Sequence, residues 1–133
     1  MFRNSGGFEF LGRSLDSIRT HIQLEKTKAT CQALDLDGLV LIGATHTMTD
    51  AALLSEQFLK EGLKTRVIPI PVTVDGNIQH EMFESVVGFD TASKVFSELI
   101  GNIMTDAASS IKYWYFIRLM GRDPSHLIME CGL

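Results

Sequence analysis

Short apolar runs alternate with segments of helical periodicity along the 133 residues, and this alternation narrows the fold more than any single residue does. "LDGLVLIG", Leu36 to Gly43, is an apolar run closed by glycine. With so little polar alternation, it suits a strand covered on both faces, as in a parallel sheet. "KTRVIPIPVTV" is a second strand candidate, made short or an edge by Pro69 and Pro71, which donate no ladder hydrogen bond. "YWYFIRLM", Tyr113 to Met120, closed by Gly121, is a third, its Tyr113-Trp114-Tyr115-Phe116 cluster reading as a strand packed on both faces.

Helical patterns fill the intervals. Thr20-His21-Ile22-Gln23 has the form of a capping box and opens a helix to about Leu34, with Leu24, Thr27, Cys31 and Leu34 on one face. "DAALLSEQFLKEG" predicts a helix from Asp50 to Glu61, with an acid in its first turn and Gly62 as its stop. Residues 75–88 read as a long loop. Ala92, Val95, Phe96, Leu99, Ile100, Ile103, Met104 and Ala107 then recur at helical spacing and predict a long helix from about Asp90 to Ala108. Asp123-Pro124 matches an N-cap followed by proline at the first helical position, opening a last helix.

The resulting order implies an α/β fold, three layers built on a parallel sheet with right-handed crossovers. Three strands make a thin sheet with an apolar edge, and "HLIMECGL" stops inside an apolar helical pattern. Residues 1–133 are therefore expected to form a single, partial α/β domain.

Composition excludes some functions. The net charge is −4 with no basic stripe, which argues against nucleic acid as a partner. No apolar stretch approaches the ~20 residues that span a bilayer, and the N-terminus lacks a signal-peptide core. Cys31 and Cys131 form no CxxC pair, so a reduced, cytoplasmic setting is the expectation. The four histidines stand without the spacing of zinc ligands.

In open parallel sheets, ligands bind beyond the carboxyl ends of the strands. Three loops belong there and should converge: "GATHTMTD" (Gly43–Asp50), "TVDGN" (Thr73–Asn77) and "MGRD" (Met120–Asp123). The first leads into a helix N-terminus where backbone N–H groups and threonine hydroxyls can receive a phosphate, or it is a plain polar turn. Asp75 is a candidate general base, although Asp-Gly is equally a turn signal. Arg122 is a candidate anion clamp, or an exposed surface arginine.

Taken together, "LDGLVLIGATHTMTDAALL", "PVTVDGN", "GFDTASKVFSELIGNI" and "KYWYFIRLMGRDPSH" resemble the phosphofructokinases, in particular the long pyrophosphate-dependent kind of plants. The resemblance runs from about Gly6 to the C-terminus. It implies phosphoryl transfer to the 1-hydroxyl of fructose 6-phosphate, with Asp75 as the base and Thr73 beside the substrate. It also implies Met120, Gly121 and Arg122 on the sugar and its phosphate, and Lys112 and Tyr113 reaching the sugar across a subunit boundary.

The departures from the family pattern are as specific. Where its catalytic members carry Gly-Gly-Asp-Asp, this chain has Gly43-Ala44-Thr45-His46, and Val72 replaces the lysine of their PKTIDGD motif, whose last acid is Asn77 here. The family's magnesium wants hard oxygen ligands, so the missing carboxylate at Thr45 makes its binding doubtful. Retained sugar-side residues beside a degraded donor side resemble the alpha, or regulatory, subunit. That resemblance implies a hetero-oligomer with a catalytic beta-type subunit and a response to fructose 2,6-bisphosphate. The alternatives are an active phosphofructokinase using Asp75, a structural interaction module, and a non-functional fragment.

Overall fold

The computed structural model describes residues 3–78, 80–122 and 125–132. In chain order the elements are α1 (Gly6–Leu11), α2 (His21–Ala33), β1 (Gly38–Gly43), α3 (Thr45–Lys60), β2 (Arg66–Thr73), β3 (Val87–Gly88), α4 (Phe89–Ser110) and α5 (Ser125–Gly132). The strands form a parallel three-stranded sheet in the order β1-β2-β3 with flanking helices, the α/β class expected.

The capping box at α2 is formed: the Gln23 amide donates to the Thr20 hydroxyl at 3.3 Å, and the Thr20 amide donates to Gln23 Oε1 at 2.9 Å. Two donors that a helix start would leave unpaired are thereby satisfied. Leu24 and Cys31 of this helix face the core as its pattern requires, but Leu34 is the exposed C-cap, and Leu36 packs on the core instead.

β1 and β2 pair from Gly38 opposite Arg66 to Gly43 opposite Pro71. Their register is pinned where both strands begin. The Arg66 amide donates to the Asp37 carbonyl at 2.9 Å, and the buried Thr65 hydroxyl donates to the Leu36 carbonyl at 2.7 Å. A slip of one residue would break both bonds and turn the apolar side chains to the wrong face.

α3 connects these strands and packs on both. Its buried residues Asp50, Ala51, Leu54 and Phe58 fall at three- and four-residue spacing, a single stripe of the helix. Leu54 and Phe58 meet Cys31 of α2, and Ile18, Leu24, Leu36, Leu39, Leu41, Leu63 and Val67 pack around them. At the end of α3, Gly62 takes φ 70° and the Leu63 amide donates back to the Phe58 carbonyl at 2.9 Å, a glycine-dependent stop of the kind expected.

Several expectations need correction. α3 begins at Thr45 rather than Asp50. The Thr45–Thr49 stretch lacks apolar periodicity and has weak helix propensity, yet the Thr49 hydroxyl returns to the Thr45 carbonyl at 3.2 Å, so its polar group is satisfied inside the helix. β1 is covered on one face only: Leu39 and Leu41 point to the core, while Val40 and Ile42 are exposed, as is Ile68 of β2. β2 is neither short nor an edge, for it runs eight residues as the middle strand. Pro69 and Pro71 lie two apart, so both missing donors fall on one side of the strand, and β3 claims only Val72 and Thr73.

The third strand is not Tyr113–Met120 but the two-residue β3, inside the stretch expected to be a loop. Residues 113–119 carry no secondary structure, and Trp114 is 93% and Phe116 95% exposed. Without a neighbour to accept its ladder bonds, strand propensity alone does not make a strand. α4 is as long as its periodicity requires, and α5 closes against it with Leu127 buried, while the Cys131 thiol donates to the Ser93 carbonyl at 3.6 Å. The Asp123-Pro124 cap lies outside the described residues.

The one-sided core makes a contrast testable. Phe58→Ala is expected to cost about 3–5 kcal/mol in chemical denaturation, as for other buried aromatic truncations. Val40→Ala, on the open face, should cost less than about 1 kcal/mol. Equal losses would mean that the second face is also packed.

Candidate functional site

Two of the three expected loops meet, one at the end of β2 and the other after an irregular segment rather than a strand. Beyond β2, the Asp75 amide donates to the Thr73 hydroxyl at 3.1 Å, folding the turn back on the strand. Gly76 then takes φ 64°, and a β-carbon there would come within 2.6 Å of the Phe89 ring. Both conformation and space therefore demand glycine at this point. The turn rests on the first residue of α4, while Gly88 opposite Thr73 supplies the left-handed N-cap from which that helix leaves.

From the far side, the Arg122 amide donates to Asp75 Oδ1 at 3.3 Å across 47 residues of sequence. Gly121, at φ 133°, gives the backbone the turn that presents this amide. Met120 and the Arg122 side chain are exposed. Lys112 and Tyr113 follow the left-handed Ile111 cap of α4, the Lys112 ammonium lying 5.3 Å from the centre of the Tyr113 ring. Among the described residues no hydrogen bond links either of them to Asp75 or Arg122.

The first loop has a different fate. Gly43 lies opposite Pro71 at the same sheet edge, and a β-carbon there would come within 2.6 Å of Thr47 Cβ, so glycine lets α3 start immediately. Ala44 is the N-cap and offers no side-chain cap; Thr45 and His46 form the first turn. Val72 is half-buried and paired with Val87.

The loop's one acid, Asp50, lies in the second turn of α3 and is buried. Its Oδ1 accepts from Arg19 Nε at 2.7 Å and its Oδ2 from the Ile18 amide at 3.1 Å. Arg19 Nη2 also lies 3.2 Å from His46 Nδ1. Burial works against the charged form of Asp50, but the hydrogen bonds from Arg19 and Ile18, with the Arg19 charge, outweigh it and hold the carboxyl below its ordinary value.

Sequence spacing gave no sign of this cluster, because Arg19 and Asp50 are 31 residues apart. A cavity of about 700 Å³ beside the Asp75 turn was likewise not foreseen. Gly76, Ile78, His80, Phe89, His126 and Glu130 are among its walls, whereas Asp75 and Arg122 are not.

A magnesium ion does not fit the first loop. Its ligands would be carboxylate, carbonyl or water oxygens, and both oxygens of the local carboxylate are already engaged. Among the described residues no three histidine, cysteine or acidic side chains group as metal ligands. No described helix is long and apolar enough to cross a membrane, and Cys31 and Cys131 are free.

The Asp75 turn, met by the Arg122 amide, lies at the carboxyl edge of a parallel α/β sheet, where open sheets of this kind bind ligands. The chain matches the phosphofructokinase family over residues 2–133 and belongs to it. It is 50% identical over 132 residues to the pyrophosphate–fructose 6-phosphate 1-phosphotransferase subunit alpha of Solanum tuberosum, covering 99% of this chain and 21% of that protein. It is 48% identical to subunit beta 1 of Arabidopsis thaliana and 46% identical to the Treponema pallidum enzyme, each match covering 99% of this chain and 23% of the relative. The chain thus spans between a fifth and a quarter of these relatives, and identity alone does not separate alpha from beta.

The Asp50 cluster has a pH signature. A depressed folded pKa contributes stability that is present above the unfolded value, ~3.9, and is lost as pH falls through the folded one. Asp50→Asn should therefore flatten the acid limb of the stability profile below about pH 4. At neutral pH it should cost about 1–2 kcal/mol, toward the low end for a charged hydrogen bond because Arg19 is partly exposed. An unchanged acid limb, measured by denaturation across pH, would refute the assignment.

Proposed function

We propose that this chain provides the sugar-phosphate side of a pyrophosphate-dependent fructose 6-phosphate 1-phosphotransferase, as a regulatory-type subunit paired with a catalytic beta-type subunit. The observation carrying this reading is the 3.3 Å contact between the Arg122 amide and Asp75, which joins the two turns the family uses for the sugar. Arg122, with Met120 and Gly121, holds the sugar phosphate through its guanidinium, whose planar fork suits phosphate oxygens. Thr73, Lys112 and Tyr113 hold the sugar, and fructose 6-phosphate or fructose 2,6-bisphosphate is the ligand.

The donor side supports a regulatory rather than a catalytic role. Gly43, Ala44, Thr45 and His46 offer no carboxylate, Val72 offers no cation, and Asp50 is committed to Arg19 and Ile18. A transferring phosphoryl group needs its developing charge met by fixed cations or a metal, and their loss is worth several kcal/mol. A reduced, cytoplasmic setting accords with the two free cysteines.

A second reading, an active phosphotransferase, draws on the Asp75 carboxylate itself. Among the described residues only Oδ1 is bonded, which leaves Oδ2 to take the proton of the sugar 1-hydroxyl as that oxygen attacks one phosphorus of pyrophosphate and the other phosphate leaves.

The test is binding and turnover of the chain mixed with a catalytic beta-type subunit, after light scattering has established a defined complex. Fructose 2,6-bisphosphate should activate the complex, and Arg122→Ala should weaken that activation at least tenfold. Asp75→Asn in this chain should leave turnover within about twofold, whereas a base would lose about 10²-fold or more. Unchanged activation with Arg122→Ala, or no complex at all, overturns the regulatory reading.

A further inference from the structure

We infer that Phe89 is a positioning residue of the sugar-phosphate side, its ring holding the turn that sets Asp75 against Arg122. Its role toward a ligand rests on the sugar-phosphate reading above; its role toward Asp75 rests on geometry alone. Among the described residues, two hydrogen bonds are made at Asp75. Its amide donates to the Thr73 hydroxyl at 3.1 Å, and its Oδ1 accepts from the Arg122 amide at 3.3 Å. The first is internal to the turn, and the second comes from beyond residues 113–119, which carry no secondary structure. Neither bond ties the turn to a regular element.

Phe89 supplies that tie. Its ring atoms Cε2, Cδ2 and Cζ lie 2.6, 2.7 and 3.3 Å from where a β-carbon on Gly76 would stand. Carbon atoms in ordinary contact are about 3.5–4.0 Å apart, so the ring takes up the volume that glycine leaves empty. The same glycine gives the turn its left-handed bend, at φ 64°. Gly76 and Phe89 both border the cavity of about 700 Å³, so removing the ring would leave the turn beside open space.

The ring is itself fixed by backbone. Gly88 pairs opposite Thr73, where the turn leaves β2, and α4 starts at Phe89. The ring therefore follows the strand end to within one residue. The far end of α4 carries Lys112 and Tyr113 just past its Ile111 cap. α5, which follows Arg122 in the chain, closes on α4 through the buried Leu127 and the contact of Cys131 with the Ser93 carbonyl. Phe89 is thus where the helix that organises the other sugar-side residues touches the turn that bears Asp75. A ring that merely packed would stabilise the whole fold. A positioning ring acts on the turn.

The experiment is amide hydrogen exchange on the whole chain, read by NMR, followed by the response to fructose 2,6-bisphosphate in the complex. Phe89→Ala should speed exchange of the Asp75 and Arg122 amides at least about tenfold and leave the Leu54 and Phe58 amides within about twofold, since a local opening spares the core. Phe89→Leu, which keeps apolar bulk against Gly76, should recover most of that protection. Gly76→Ala completes a double-mutant cycle: its effect on the Arg122 amide should be large with Phe89 present and much smaller beside Phe89→Ala. In a defined complex with a beta-type subunit, Phe89→Ala should raise the fructose 2,6-bisphosphate concentration for half-activation at least tenfold, and Phe89→Leu should restore it. A parent complex that ignores this effector overturns the sugar-phosphate reading, and exchange on the chain alone still decides the role of Phe89. Unchanged exchange at Asp75 and Arg122, an equal rise throughout the chain, or independent effects of the two substitutions overturns the positioning role. So does a Phe89→Ala complex activated as readily as an activated parent.

Discussion

Leu54 and Phe58 of α3, closing on Cys31 of α2 above Leu39, Leu41 and Val67, form the contact on which the rest of the chain depends. Burial of apolar surface is the main favourable term in folding, and here it is concentrated on one face of two parallel strands. The placement of α3 fixes the crossover between β1 and β2, and with it the register that sets Gly43 opposite Pro71. Everything at the carboxyl edge is measured from that register: the start of α3 on one side, and the departure of Val72, Thr73 and Asp75 on the other.

Features legible in the sequence were those with a local cause. Thr20 and Gln23 bind each other's backbone within one turn, so the start of α2 can be read from four residues. Gly62 and the apolar stripe of α4 act within a turn or a helix face. The turn at Asp75-Gly76 was legible too, because its glycine answers to a positive φ and a close ring at once. The sequence order also brought the Asp75 and Arg122 turns to one edge, where the structure has them in contact.

Features with a distant cause were not legible. Tyr113–Met120 has the composition of a buried strand, but pairing depends on a neighbour elsewhere in the chain, and β3 takes the third place with two residues. Val40 and Ile42 have the apolar character of a doubly covered strand, yet what covers a face is set by other elements. In the sequence Asp50 reads as an acid favouring a helix start. Instead it is a buried partner of Arg19, a role that needs the loop before α2 and the second turn of α3 to meet in space. Threonines at 45, 47 and 49 hid a helix start because their hydroxyls can serve a loop or a helix equally.

The two ends of β2 show how the fold divides stability from chemistry. At its start, Thr65 and Arg66 bond to the backbone of the neighbouring strand's approach, and the Lys64 ammonium lies 2.7 Å from Asp35 and 3.2 Å from Asp37. The two bonds to backbone carbonyls fix where the strand starts, and the Lys64 ion pairs lie on the exposed surface beside them. At its finish the strand passes to a turn that needs glycine at positions 76 and 88, carries a carboxylate with one oxygen unbonded, and meets an exposed arginine from a segment 47 residues on. Glycines and unspent polar groups weaken a fold. Confining them to the carboxyl edge costs little, because the core under α3 lies at the other, locked part of the strand. The same arrangement explains why the Asp50 cluster is unlike the Asp75 turn although both sit near that edge. Asp50 spends both oxygens on holding α3 to the chain before α2, and so belongs to the structure. Asp75 spends one and keeps the other.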